Sequence, residues 1–291
     1  MRFLLPIPLF LLCTQLAFAG QSYIRQYSAA LEQSEWQLRH NTPLRCEISH
    51  PIPGFGEAVF HSEAGKELNL WFELKMLQQP DAYALAEVLS LPPRWRPGEQ
   101  PRAITNMRLL KQFDGDLPKE SAWTMLHELE RGYQPTFYFS DWYRPDNKVV
   151  ASLNPVQFPT VYREFSQCMS MLLPYRFDDI AFTVLSYEVG GDQLTRESRR
   201  RLAAIAEYLK HDDAIEVVQI QGHTDTYGGR WMNEQLSIRR AEKVKRFFVE
   251  AGLPEHRIEV EGFGQRRNVA PNQRVQDRAI NRRVVVQMNR P

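Results

Sequence analysis

The stretch IEVVQIQGHTDTYGGRWMNEQLSIRRAEKVKRFFVEAGLP, residues 215–254, decides the fold of the second half of this chain. Residues 215–221 read as an apolar strand. Gly222-His223-Thr224-Asp225 leaves its end, and residues 231–251 read as a helix stopped by Gly252 and Pro254. Val244, Phe247, Phe248 and Ala251 are expected inward. Asn233 and Arg240 are seven residues apart, almost two turns, so they share one helix face. Arg240 is expected on the polar side, away from the packing face. Further on, Asn281-Arg282-Arg283-Val284 opens the last expected strand. An acid, an amide and guanidiniums thus gather near one sheet edge. Two arrangements fit them. One is a pocket for a zwitterion, with the carboxylate to its ammonium and an Arg fork to its carboxylate. The other is a salt-bridged loop in which Asp225 and Arg240 satisfy each other.

Working outward, residues 179–186 read as a strand, and Thr195 caps a helix with Leu202, Ile205, Ala206 and Leu209 on one face. Strands at 257–261 and 283–288 complete the half. The order βαβαββ predicts helices packed on one mixed sheet.

The first half has another character. Residues 20–173 hold 13 of the 19 prolines and five of the six tryptophans, a density that breaks long helices and favours short strands. Along 67–76, Leu68, Leu70, Phe72, Leu74 and Met76 alternate with polar or bulky neighbours, a half-buried strand paired with 57–62. Further strands are expected at 81–90 and 103–113, and a hairpin at 136–142 and 148–153. One helix runs from Pro118 to Gly132, with Ala122, Met125, Leu126 and Leu129 on one face; another starts at Pro159 and carries Cys168. The core is the expected use of most of the five tryptophans. The fold class is therefore α+β, a β-rich first domain followed by an α/β sandwich. The expected boundaries are a signal segment at 1–19, the first domain at 20–157, a connecting helix at 158–175 and the second domain at 176–291.

Arg2, the apolar run 3–12 and Ala17-Phe18-Ala19 have the form of a secretory signal peptide cleaved after Ala19. Leu11 and Leu12 before Cys13 argue against a lipid anchor there. No later run approaches 18 apolar residues, so no membrane span is expected. Export leaves Cys46 and Cys168, which are expected to pair as a disulfide in an oxidising compartment.

Lys and Arg total 36 against 35 acidic groups, a net +1 that offers no field for nucleic acid. There is no Gly-rich phosphate loop after a strand, no HExxH and no GxSxG. His223 and Asp225 bring no third metal ligand and no nucleophile, so no metal, cofactor or catalytic residue is expected.

The second half resembles the OmpA-like peptidoglycan-binding domain. GHTD at 222–225, N-x-x-L-S-x-x-R-A from Asn233, Gly262-Phe263-Gly264 and Asn281-Arg282-Arg283-Val284 carry the likeness. It implies that Asp225 and Arg240 grip the diaminopimelate of the wall's stem peptide, with Asn233 and Arg282 assisting. Tyr227 and Gln265 depart from the family's usual residues, at the rim and the sheet edge, which bears on rim contacts and not on the central pair. The first half, through Cys46-x-x-Ser49-His50-Pro51-Ile52-Pro53-Gly54-Phe55-Gly56, resembles the MotY family of sodium-type flagellar proteins. That likeness implies a non-enzymatic periplasmic motor component, in a ring around the flagellar basal body with a MotX-like neighbour, helping to hold the stator. A general envelope-tethering protein unrelated to motility is the alternative.

Overall fold

The computed structural model describes residues 23–93, 95–188 and 193–290. The expected signal segment, its cleavage point and Cys13 lie outside the described residues. The first half forms strands β1 (Ile24–Ser28), β2 (Gln37–Asn41), β3 (Arg45–Ile52), β4 (Gly56–Glu63), β5 (Trp71–Met76), β6 (Ala84–Leu91), β7 (Arg102–Leu109) and β8 (Gly115–Leu117). Helix α1 (Lys119–Glu130), β9 (Gln134–Ser140), β10 (Lys148–Ser152) and helix α2 (Phe158–Ser170) follow.

Alternation along β5 buries Phe72 and Leu74 completely and leaves Trp71 on the outside. The strand starts only at Trp71, so Leu68, expected inward, is exposed. Two sheets result, in the orders β1-β10-β9-β6-β7 and β2-β3-β4-β5-β8. Phe72 of β5 stacks on Phe137 of β9 at 5.5 Å, and Phe60 of β4 lies 4.9 Å from Phe72. These rings tie one sheet to the other. Trp36 is buried between His50 and Phe158, and Trp123 and Trp142 pack on the same core. Trp71 and Trp95 face solvent. Three of the five tryptophans thus serve the core.

Phe165, Cys168 and Met169 turn one face of α2 inward. Cys168 is bonded to Cys46 of β3, with Cα atoms 5.9 Å apart. The chain beyond α2 then runs back along the first half. Leu173 N–H donates to Pro43 O, Gly65 N–H donates to Leu173 O, both at 2.8 Å, and Lys66 pairs with Asp179 at 2.9 Å.

The second half holds α3 (Phe177–Ile180), β11 (Phe182–Ser186), α4 (Arg196–Leu209), β12 (Val217–Gly222), α5 (Arg230–Glu250), β13 (Ile258–Gly262), α6 (Val275–Asn281) and β14 (Arg283–Asn289). The sheet order is β11-β14-β12-β13, with β12 and β13 parallel and the other pairs antiparallel, so the sheet is mixed. Thr195 accepts a hydrogen bond from Ser198 N–H and caps α4. Two expectations are corrected. The strand expected from 179 begins at Phe182, because Asp179 accepts from Arg176 N–H and closes the single turn α3. The order βαβαββ gains helix α6 before β14, and Asn281 ends that helix rather than opening the strand. Val275 and Ile280 of α6 are exposed and only Asn281 is buried, so no apolar stripe announces it.

One approach sets the position of α5. A Cβ on Gly222, at the end of β12, would overlap the carbonyl of Ser237. One on Gly262, at the end of β13, would overlap the Ile238 side chain. Glycine at both strand ends lets the helix backbone lie directly on the sheet.

Two predictions follow from this architecture. Replacing Cys46 and Cys168 by serine removes a cross-link between residues 122 apart in sequence. In the chain-entropy picture such a loop contributes up to about 5 kcal/mol, so the guanidinium midpoint should fall clearly. An unchanged midpoint would show that packing alone fixes α2. Gly222→Ala should destabilise the chain by about 3 kcal/mol or more through overpacking. Gly229→Ala, where a Cβ meets open space, should cost under about 1 kcal/mol. Equal thermal shifts for the two would refute the close approach.

Candidate ligand-binding site

The loop after β12 is anchored at its backbone before any side chain acts. His223 N–H donates to Arg283 O, Thr224 N–H donates to Gly264 O, and Phe263 N–H donates to Gly222 O, each at 2.9 Å. The loop therefore sits between the ends of β13 and β14, and His223, Thr224 and Asp225 are all buried.

Asp225 uses both carboxylate oxygens. Oδ1 accepts from Tyr227 N–H at 3.0 Å, a local turn of the Asx type, and Oδ2 accepts from Arg282 Nη1 at 2.8 Å. The ion pair is almost closed to solvent, with side chains 11% and 15% exposed. A pair this deep is held in place by its geometry and neighbouring bonds rather than by net attraction. Asp225 pairs with Arg282, and not with Arg240 as one of the two expected arrangements had it.

Asn233 stands beneath the loop. Its Nδ2 donates to Asp225 O and Tyr227 O at 3.2 Å and to Gln265 Oε1 at 3.1 Å. Its amide is thus spent on bracing the loop. Arg240 is 4% exposed, with Cζ 4.3 Å from the centre of the Tyr187 ring. The expectation that it lies on the polar side of α5 is corrected. Asn233, Ser237, Arg240, Ala241, Val244 and Phe248 form one buried stripe, with the Arg240 guanidinium over the aromatic face of Tyr187. The structure brings Asp225, Asn233 and Arg282 into direct contact and places Arg240 further along the helix against Tyr187.

A second buried asparagine organises the opposite wall. Asn281 Oδ1 accepts from Val269 and Ala270 N–H, and its Nδ2 donates to Ala270 O and Asn272 Oδ1. Asn272 Oδ1 also accepts from Thr226 N–H at 3.2 Å. The segment 269–272 is therefore tied to the loop that carries Asp225. Neither Asn272 nor this use of Asn281 was foreseen, and the only sequence signal was Asn281's place in the Asn-Arg-Arg-Val run.

His223 lies flat on Phe263 at 5.3 Å, and Arg267 covers the Phe263 ring at 3.6 Å. Burial, followed by the charges of Arg283 and Arg267, pushes the His223 pKa down to about 4, so it is neutral at neutral pH. Three buried polar atoms here have no hydrogen-bond partner among the described residues: His223 Nδ1, Thr224 Oγ1 and Arg282 Nε. Buried polar groups are nearly always satisfied, so unpartnered ones beside an ion pair point to a site for a polar guest. Such a guest finds an acid and a guanidinium side by side, the two poles that a zwitterion needs. Among the described residues no group of His, Cys, Asp and Glu is arranged to hold a metal ion, and no helix is long and apolar enough to cross a membrane.

Residues 27–174 match the family model of the MotY N-terminal domain, and residues 186–282 match that of the OmpA family. The sodium-type flagellar protein MotY of Vibrio parahaemolyticus is 46% identical over 266 residues, which cover 91% of each chain. The outer-membrane lipoprotein YfiB of Pseudomonas aeruginosa is 45% identical over 95 residues, 33% of this chain and 56% of that one. Among solved structures, the peptidoglycan-associated lipoprotein from Burkholderia pseudomallei aligns with 36% of this chain and 89% of its own, at 25% identity and a TM-score of 0.34. With its first half matching one model, its second half the other, and a relative similar along almost the whole length, this chain belongs to the MotY family of sodium-type flagellar proteins.

Proposed function

We propose that this chain is a non-enzymatic component of the flagellar motor, exported to the periplasm, that grips peptidoglycan with its second domain. The first domain joins the ring around the basal body, beside a MotX-like neighbour, and the whole helps to hold the stator units. The observation that carries the wall-binding part is the buried Asp225–Arg282 pair with unpartnered polar atoms around it, set in an OmpA-family domain. A diaminopimelate side chain ends in an ammonium and a carboxylate. Asp225 would take the first and Arg282 the second, so the ligand exchanges one charge-assisted contact for two. Asn233 would keep the loop in place, and Arg240 would serve through its packing on Tyr187. Family membership supports the motor part of the reading.

The general envelope tether is separated by swimming. Deleting the gene should abolish or cripple motility while leaving the envelope intact. Envelope leakage with normal swimming would favour the tether. A wall hydrolase carried on a binding domain is tested by a zymogram on purified sacculi, in which no clearing is expected.

The site itself is tested by two variants chosen for the buried pair. Asp225→Asn keeps an oxygen for Tyr227 N–H and removes the charge, and Arg282→Gln removes the guanidinium. One charge-assisted hydrogen bond is worth roughly 1.5–3 kcal/mol, so each should weaken co-sedimentation with sacculi roughly 10- to 100-fold. Circular dichroism checks that each is folded. Arg240→Ala should lower thermal stability as well as binding, because it empties a buried position. If the first two variants are folded and sediment like wild type, the pair is purely structural and the wall contact lies elsewhere.

A further inference from the structure

One end of the sheet β1-β10-β9-β6-β7 holds a cleft that the wall-binding site does not use. Its volume is about 410 Å³, inside the range of about 300–1,000 Å³ common for small-ligand sites. The strand registers build its floor. Ser28 of β1 lies beside Ser152 of β10, Ser152 beside Thr136 of β9, and Gln134 of β9 beside Leu91 of β6. Alternation turns Ala151 and Phe137 into the core and these neighbours to the opposite face. The chain after β1 walls the cleft on one side, and Pro93 and Trp95 after β6 wall it on another.

Both walls are held. Asn154 Nδ2 donates to Ala29 O at 3.0 Å, and Arg96 N–H donates to Pro93 O at 2.9 Å, closing a turn around Trp95. The indole is 71% exposed, and a Cβ at Gly132 would meet its Cζ2 at 3.6 Å, so one edge of the ring lies over the turn after α1. An aromatic face mounted on fixed backbone is ordered before contact, which lowers the cost of binding. Among the described residues, no side chain that lines the cleft is charged. The carboxamides of Gln26 and Gln134 and the hydroxyl of Ser28 have no hydrogen-bond partner among the described residues, so their donors and acceptors remain for a guest.

We propose that this cleft is a saccharide site that takes a stretch of the wall's glycan, with one sugar ring on the Trp95 indole and its polar groups on Ser28 and Gln134. The lining selects the guest. A cleft without charge repays no ionic ligand, and the amino sugars of the glycan are neutral where their carboxyl groups are amide-linked to peptide. One face of a pyranose presents C–H groups of small positive charge, and an aromatic face is electronegative, so the two attract. A carboxamide meets an acetamido group as both donor and acceptor. An extended peptide adding itself as a strand finds no free backbone on this floor, because β10 and β9 are interior strands paired on both sides. The site is separate from the Asp225–Arg282 pair, and through it the first domain would also hold the wall.

The test titrates the full chain by calorimetry with chitotetraose, a neutral tetramer of N-acetylglucosamine that carries no peptide. Wild type should bind it with a Kd at or below about 1 mM. Trp95→Ala should weaken binding about 10- to 30-fold and Trp95→Phe less than that. Gln134→Ala should weaken it about 3- to 10-fold, and maltotetraose, which lacks acetamido groups, should bind wild type about 10-fold more weakly. Trp71→Ala, which removes an exposed indole from the other sheet, should bind chitotetraose like wild type. Circular dichroism checks that each variant is folded. Absence of saturable binding by wild type, or a folded Trp95→Ala that binds like wild type, overturns the saccharide site and leaves the cleft to a protein partner. A loss in Trp71→Ala as large as that in Trp95→Ala overturns its location, and equal binding of maltotetraose overturns the wall's glycan as the guest. None of these outcomes touches the peptide site, since the probe has no peptide.

Discussion

Everything at the site depends on how closely α5 lies on the ends of β12 and β13. Ser237 sits at the point of contact, against the two strand-end glycines, and is fully buried. Its hydroxyl donates to Glu234 O and accepts from Gly264 N–H. That bond sets the turn after β13, and Gly264 O in turn accepts from Thr224 N–H, the residue before Asp225. A small side chain on the helix and missing side chains on the strands thus determine where a carboxylate stands. The glycines and the serine of the motif are architectural, and the ligand-facing chemistry falls to the few charged groups that they position.

The site is electrically lopsided. Asp225 is the acid in contact with Arg282, while Arg266, Arg267 and Arg283 stand nearby in chain and space. His223 adds no further positive charge near neutral pH, because burial and its arginine neighbours keep it neutral. Arg283, itself buried, spends its donors on the carbonyls of Arg267 and Asn281 and acts as a fastener between segments. The cations thus divide: Arg282 faces Asp225, Arg266 pairs with Glu234 at 3.3 Å and holds backbone carbonyls, Arg283 holds backbone and Arg267 covers the Phe263 ring, a division that charge alone does not reveal.

Periodicity made the regular elements legible. The β4–β5 hairpin, the β9–β10 hairpin, α1, α4 with its Thr195 cap, and α5 follow from apolar spacing and terminal residues. Helix α6 was illegible because it turns no apolar face inward and is held by Asn281 and Arg278 hydrogen bonds instead. The placement of Arg240 was misread for a related reason. A guanidinium on a helix reads as solvated, and the Tyr187 ring against which it is buried lies 53 residues away in sequence, beyond any local pattern. The partner of Asp225 lies 57 residues further on in the chain, so no local pattern distinguishes Arg282 from Arg240. Asn281 and Asn272 look like any loop asparagines until the tertiary structure sets donor against acceptor.

The link between the halves carries a mechanical consequence. A pull on the second domain meets the Lys66–Asp179 pair and then Leu173, where backbone bonds to Pro43 and Gly65 take it up. Were these to part, tension along the chain would next reach α2 from its C-terminal end. Before the helix can unwind turn by turn, the load arrives at Cys168 and passes through sulfur into β3, a strand flanked by β2 and β4. The force is then shared across a ladder of hydrogen bonds instead of being spent on them one at a time. In tensile terms the disulfide is a bypass that spares most of α2, and the yield point of the link is moved from a helix end to the interior of a sheet.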